Sequence, residues 1–90
     1  MLKYIIERNM PDLGQLTAHE MQVACQTSNN TIQSMSGRVQ WQQSYVTGNK
    51  MYCVYLADNK EAVLEHAAKA GFPADRIEAV KTIIDPTSAE

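Results

Sequence analysis

Two histidines and two cysteines carry most of the chemistry open to this 90-residue chain. His66 is the best placed of them. It falls one turn before the end of a helical pattern whose inner side is Ala62, Val63, His66, Ala67 and Ala70. An imidazole there can ligate a metal or act as a general base; the competing assignment is a packed histidine bonded to a carbonyl. His19, in the first turn of the first helical stretch, reads as solvated. Glu7 and Arg8 are neighbours in a strand pattern, so they point to opposite faces and one of them points inward. A buried carboxylate needs a partner or a cation, which makes Glu7 a site candidate, with a structural salt bridge as its alternative. Cys53 has no base beside it in sequence to generate a thiolate. Both Cys25 and Cys53 read as free buried thiols, with a disulfide or a thiol ligand as the alternative. No CxxC, HExxH, glycine-rich phosphate loop or GxSxG is present.

The elements that position these residues follow from periodicity. Lys3 to Asn9 alternates loosely and is rich in isoleucine, which predicts a strand with Tyr4, Ile6 and Arg8 on one face and Lys3, Ile5 and Glu7 on the other. Met10 to Gln15 contains Pro11 and Gly14 and reads as a loop. Thr17-Ala18-His19-Glu20 is a capping box. It opens a helix to about Ser36 with Met21, Ala24, Cys25, Ser28, Ile32 and Met35 along its inner side. Arg38 to Thr47 and Met51 to Ala57 are strands joined by the two-residue loop Gly48-Asn49. Pairing Thr47 with Lys50 sets Tyr45 opposite Tyr52, Ser44 opposite Cys53, Gln43 opposite Val54 and Trp41 opposite Leu56. One sheet face then carries Trp41, Gln43, Tyr45, Tyr52, Val54 and Leu56, the other Gln42, Ser44, Val46, Met51, Cys53 and Tyr55. The second helix opens at Asp58-Asn59-Lys60-Glu61, ends on Gly71, and is kept from continuing by Pro73. A last strand runs from Arg76 or Ile77 to Ile84, and Asp85 to Glu90 is a polar tail.

Ninety residues give one domain spanning 1–90. The 44% apolar and 20% charged residues are those of a folded chain. A net charge of −2, with lysines and arginines scattered, gives no electrostatic reason to expect nucleic acid or a membrane surface. The opening MLKYIIERNM lacks the apolar core of a secretory signal, and no stretch approaches the ~20 apolar residues of a membrane span. The expectation is a cytoplasmic protein.

Strand, helix, strand, strand, helix, strand is the ferredoxin-like α+β order: a four-stranded antiparallel sheet with two helices on one face. Both sheet faces are substantially apolar or aromatic, whereas a face left to water should be polar. The face without helices therefore calls for a partner, and the expected partner is a second copy packed sheet to sheet in a dimeric α/β barrel. Glu7, Trp41, Gln43, Tyr45 and Tyr52 are the ligand-binding candidates in its cavity. Tyr45 and Tyr52 also read as a stabilising cross-strand pair, and Trp41 as core or interface.

Several of these runs together resemble a known family. They are Glu7-Arg8, the WxxSYV run from Trp41 to Val46, the CVY run from Cys53 to Tyr55, HAxxxGFPADRI from His66 to Ile77, and IDPT from Ile84 to Thr87. The family is one of short ferredoxin-like proteins, classed as a domain of unknown function, whose characterised member binds nickel. The resemblance covers nearly the whole chain, and GFPADRI is its most specific block. It implies a homodimeric barrel and a divalent transition metal, nickel in type, held by His66 with Glu7. Two positions depart from the family pattern: Gln43 stands where a histidine is common, and Leu56 where an acidic residue is. A neutral amide is a weaker metal ligand than imidazole.

Three functions are compatible with this reading. The first is a metal-ion or small-ligand binding protein acting as a homodimer. The second is a cofactor-free, oxygenase-like enzyme with one catalytic histidine, an analogy at fold level only. The third is a scaffold module with no site of its own.

Overall fold

A computed structural model describes residues 1–90. Its elements are β1 (Leu2–Asn9), α1 (Ala18–Gln33), β2 (Val39–Val46), β3 (Lys50–Ala57), α2 (Lys60–Ala70) and β4 (Arg76–Ala79), with short 3-10 turns at Leu13–Gln15 and Pro86–Ala89. The strands form one antiparallel sheet in the order β2-β3-β1-β4, which is the ferredoxin-like arrangement. No helix is long and apolar enough to cross a membrane.

Local chemistry sets the element ends. The Thr17 hydroxyl accepts from the Glu20 N–H while the Glu20 carboxylate accepts from the Thr17 N–H, so α1 starts on the capping box that its sequence announces. The Asn59 side chain caps α2 through the Ala62 N–H. Gly71 closes α2 with a left-handed φ of 79°, a conformation that glycine adopts without the steric cost of a Cβ. The β2–β3 hairpin closes with the Thr47 N–H on the Lys50 carbonyl at 2.9 Å. β4 is shorter than its sequence predicts: pairing with β1 stops at Ala79, and only the Val80 N–H continues onto Lys3.

The pairing of β2 with β3 corrects one expectation. Tyr45–Tyr52, Ser44–Cys53 and Gln43–Val54 pair as expected, but Trp41 lies opposite Tyr55, and Gln40 takes the place opposite Leu56. Gln42 is the extra residue of a β-bulge, and such an insertion reverses the facing of everything beyond it. Trp41 therefore leaves the face of Gln43 and Tyr45 and joins the helix side, where it packs at the edge of the core.

That core is Tyr4 and Ile6 of β1, Cys53, Tyr55 and Ala57 of β3, Val39 of β2, Met35, and Ala62 and Val63 of α2. Neither helix covers the opposite face, which presents Ile5, Glu7, Gln43, Tyr45, Tyr52 and Val54. The inward-pointing member of the Glu7-Arg8 pair is Arg8, which is 1% exposed. Glu7 lies on the open face, 3.5 Å from Lys50.

Candidate functional site

Arg8 is the most unusual residue in the interior. Alternation along β1 puts it on the face of Tyr4 and Ile6, and the chain leaving α2 then closes over it. Once Gly71 has turned the backbone, the Phe72 N–H bonds the Ala67 carbonyl at 3.0 Å and the Phe72 ring centroid sits 5.7 Å from the guanidinium carbon. The Pro73 carbonyl accepts from Arg8 Nη1 at 2.6 Å. Asp75 pins the same strand end: its N–H donates to the Glu7 carbonyl at 3.0 Å, and its carboxylate accepts from the Asn9 N–H at 2.6 Å. In this fold the GFPADRI block is a clamp on Arg8 and the end of β1.

The guanidinium is under-supplied with partners. Its Nε donates to Cys53 Sγ at 3.4 Å, its central carbon lies 6.0 Å from the Tyr55 ring centroid, and Nη2 is buried with no hydrogen-bond partner. No carboxylate reaches it. The protein's ion pairs are Arg38–Glu65, Lys69–Glu65, Lys50–Glu7 and Arg76–Glu78, and Arg8 belongs to none. A buried cation costs several kcal/mol to desolvate, and cation–π contact returns about 2 kcal/mol when desolvated. Burial of Arg8 without an anion therefore leaves a deficit.

Beside Arg8 lies a cavity of about 240 Å³ between α1 and the sheet. The inward residues of α1 create it: Ala24, Cys25 and Ser28 are too small to fill the gap down to β2 and β3. Trp41, Met51, Met21 and Phe72 are among its apolar lining, and Arg8, Ser28 and Ser44 are its polar part, with Tyr55 and Cys53 beside them. Trp41 Nε1 donates to Ser44 Oγ at 2.9 Å, and Ser44 donates to Cys53 Sγ at 3.0 Å. Burial, with Cys53 beside it, pushes the Tyr55 phenol above its ordinary pKa, against the opposing influence of Arg8 and Ser28. Met21, Ala24, Cys25 and Phe72 are half-buried, so the mouth of the cavity reaches solvent along α1.

His66 is fully buried and lines no cavity. Its Nε2 is 3.1 Å from Ser28 Oγ, so its partner is a hydroxyl on the other helix. Its ring is tilted against Tyr55 with centroids 5.1 Å apart, and Nδ1 has no partner. Burial, and after it the charge of Arg8, lower its pKa from 6.5 to about 4, so the ring is neutral at pH 7.

The sequence candidates thus divide between two compartments. Glu7, Gln43, Tyr45 and Tyr52 share the open face, where the Gln43 amide donates to the Tyr45 hydroxyl. A broad hollow of about 600 Å³ lies there, bounded by Lys3, Ile5, Gln43, Val54, Ile83 and Ile84. Trp41 lines the cavity under α1 instead. His66 and Glu7 lie on opposite sides of the sheet and do not meet within one chain. No three of the protein's His, Cys, Asp and Glu side chains cluster as a metal site. Sequence reasoning missed Arg8 as the inward residue, although a signal existed: it shares its face with Tyr4 and Ile6, whereas Glu7 shares its face with Lys3.

Comparison with known proteins bears on this architecture. A family model described as nickel responsive protein SCO4226-like matches residues 4–80. The crystal structure of SCO4226 from Streptomyces coelicolor A3(2) is similar with a TM-score of 0.76 and 20% identity, over 91% of this chain and 99% of that one. At that identity the likeness is one of fold. No curated protein sequence matches. The family model runs from Tyr4 in β1 to Val80, just past β4, and so takes in every strand and both helices: the chain belongs to the SCO4226-like family.

Proposed function

We propose that this chain is a small-ligand-binding protein that acts as a homodimer in the cytoplasm. The observation that carries the reading is the cavity under α1, apolar over most of its wall and bordered by a buried cation. Its 240 Å³ is smaller than the ~300–1,000 Å³ of drug-sized sites, which suits a ligand of small-metabolite size. Trp41 is the only tryptophan and lines this cavity, so its fluorescence reports occupancy. Neutral phenylacetamide should change that emission saturably in wild type. Ala24→Phe, which fills the cavity from α1, should abolish the change, and an unaltered response in that variant would remove the cavity from the account.

The dimer rests on the open sheet face. Ile5 and Tyr45 are 43% and 56% exposed there, beside half-buried Tyr52, Val54 and Leu56. Charges of both signs, Lys3, Glu7, Lys50, Arg76 and Glu78, lie around them, and such a mixture can meet its own copy across a twofold axis. Light scattering should give twice the 10.1 kDa chain mass, and Val54→Glu should return it to one chain. The two free cysteines, Cys25 and Cys53, suit a reducing compartment.

The family description favours a second reading, a nickel site. Nickel suits imidazole with carboxylate or water. In a single chain the donors do not fit it: the His66 Nε2 is taken by Ser28 and its free Nδ1 is buried with no cluster of metal-ligating side chains around it, Glu7 is across the sheet, and Gln43 offers an amide. Calorimetric titration with nickel, zinc and copper decides between the readings. The organic-ligand reading expects no tight metal binding by wild type. Tight binding by wild type that His66→Ala abolishes would replace it.

A further inference from the structure

We propose that the ligand of the cavity under α1 is a small organic monocarboxylate with an apolar body, and that Arg8 receives its carboxylate. This rests on the reading of the cavity as a ligand site and names the class of molecule that fills it.

The argument is one of charge and hydrogen-bond balance. Arg8 is 1% exposed, borders the cavity, and has one buried guanidinium nitrogen with no partner. Buried charges in proteins are paired, and every protein group around this one is neutral or apolar. Pro73 contributes a carbonyl, Cys53 a sulfur, and Tyr55 and Phe72 the faces of rings. The one carboxylate of the clamping loop, Asp75, is turned to the Asn9 N–H. Nothing in the chain therefore supplies the missing negative charge, and a ligand carboxylate would. Guanidinium and carboxylate match in plane and spacing, and their charge-assisted bonds are roughly twice as strong as neutral ones.

The rest of the wall sets the body of the ligand. Trp41, Met51, Met21 and Phe72 are apolar, and two of them are aromatic. No second cation lines the cavity, so a dicarboxylate or a phosphate ester would bring a second charge with no partner. Ser28 and Ser44 add hydroxyls, but both are already bonded, to His66 and to Trp41 and Cys53. One charge and an apolar remainder is the chemistry that fits.

The test is a titration of the full chain, followed by Trp41 fluorescence and by calorimetry, with phenylacetate and with phenylacetamide. The two probes have nearly the same shape and differ in charge. Wild type should bind phenylacetate about tenfold more tightly or better. Arg8→Met should bring the two affinities within about twofold while keeping phenylacetamide binding. Equal affinities in wild type, or a preference for the amide, would overturn the carboxylate assignment and leave the ligand site standing. Binding of neither probe would remove both. A phenylacetate preference that survives in Arg8→Met would place the anchor elsewhere and sink the proposal. Should Arg8→Met not fold, Arg8→Gln decides: it removes the charge and keeps a polar head, and collapse of the phenylacetate preference in that variant supports the proposal, whereas an unchanged preference overturns it.

Discussion

The two faces of the sheet use the same strands in opposite ways. On the helix side, Arg8, Cys53, Tyr55 and His66 are within 2% of full burial, in surroundings where each charge and each unpaired nitrogen matters. On the open side, Glu7, Gln43, Tyr45 and Tyr52 are in contact with water; Gln43 bonds Tyr45, and Glu7 faces Lys50. One strand supplies both: Arg8 and Glu7 are adjacent, and the pleat alone separates a buried cation from a solvated carboxylate. Tyr55 and His66 are shifted on the covered face because desolvation acts there. The open face has the candidates but needs a second chain to give them an interior.

The largest expected difference between the faces is in acid. His66 is neutral and buried in the native state with a pKa near 4, whereas in the unfolded chain it titrates near 6.5. Between these values the unfolded state binds more protons, so stability falls as pH drops from 6.5 to 4 and levels off below. The lost stabilisation is at most about 3 kcal/mol. Glu65, held below the usual carboxylate range by hydrogen bonds from Arg38 and then Lys69, loses its contribution only as the pH falls below its unfolded value, at the acid end of this range. Urea unfolding at pH 7.5, 5.5 and 4 should show the loss in wild type and much less of it in His66→Gln. An equal slope in both proteins would mean that the histidine is not the group responsible.

How far the sequence foretold this arrangement depends on whether a feature is periodic. The element order, the Thr17–Glu20 box, the Gly71 stop and the Tyr45–Tyr52 pair all follow from patterns that repeat or from residues with one conformational use. The family resemblance carried by the CVY and GFPADRI runs is likewise borne out. The bulge at Gln42 has no period, and it alone moved Trp41 across the sheet. The inward turn of Arg8 ran against the rule that charges stay outside, because its stabilising neighbours, Phe72 and Pro73, are more than sixty residues away in sequence. The bond from Ser28 to His66 joins two helices and is invisible to any local pattern.

A smaller effect, opposite in sign, sharpens the contrast. If Arg8 is kept for binding and not for stability, replacing it by an apolar side chain of similar length should not weaken the free protein. Arg8→Met gives up the bond to the Pro73 carbonyl, which lies at an exposed residue and can turn to water, and removes a desolvated cation without a counter-charge. The melting temperature should hold or rise, with a gain of about 1 kcal/mol in denaturant unfolding. A loss of 3 kcal/mol or more, the order seen when a buried ion pair is broken, would show that the guanidinium has a counter-charge within the fold.

The smallest effect belongs to the open face. Glu7 and Lys50 are 3.5 Å apart with side chains 30% and 43% exposed, so water and salt screen their attraction. Such pairs contribute about 0–1 kcal/mol, and Glu7→Gln should change the stability of a dissociated chain by less than about 0.5 kcal/mol. In the proposed sheet-to-sheet dimer the same carboxylate would be covered by the partner's sheet, where desolvation would make its pairing matter more. Unfolding of Glu7→Gln in a Val54→Glu background, against Glu7→Gln alone, measures that difference directly. A penalty that grows only when the sheet faces can pair would show that the open face becomes an interior in the assembled protein. The same small penalty in both backgrounds would leave Glu7 a surface residue, and the covered face the only one with a site.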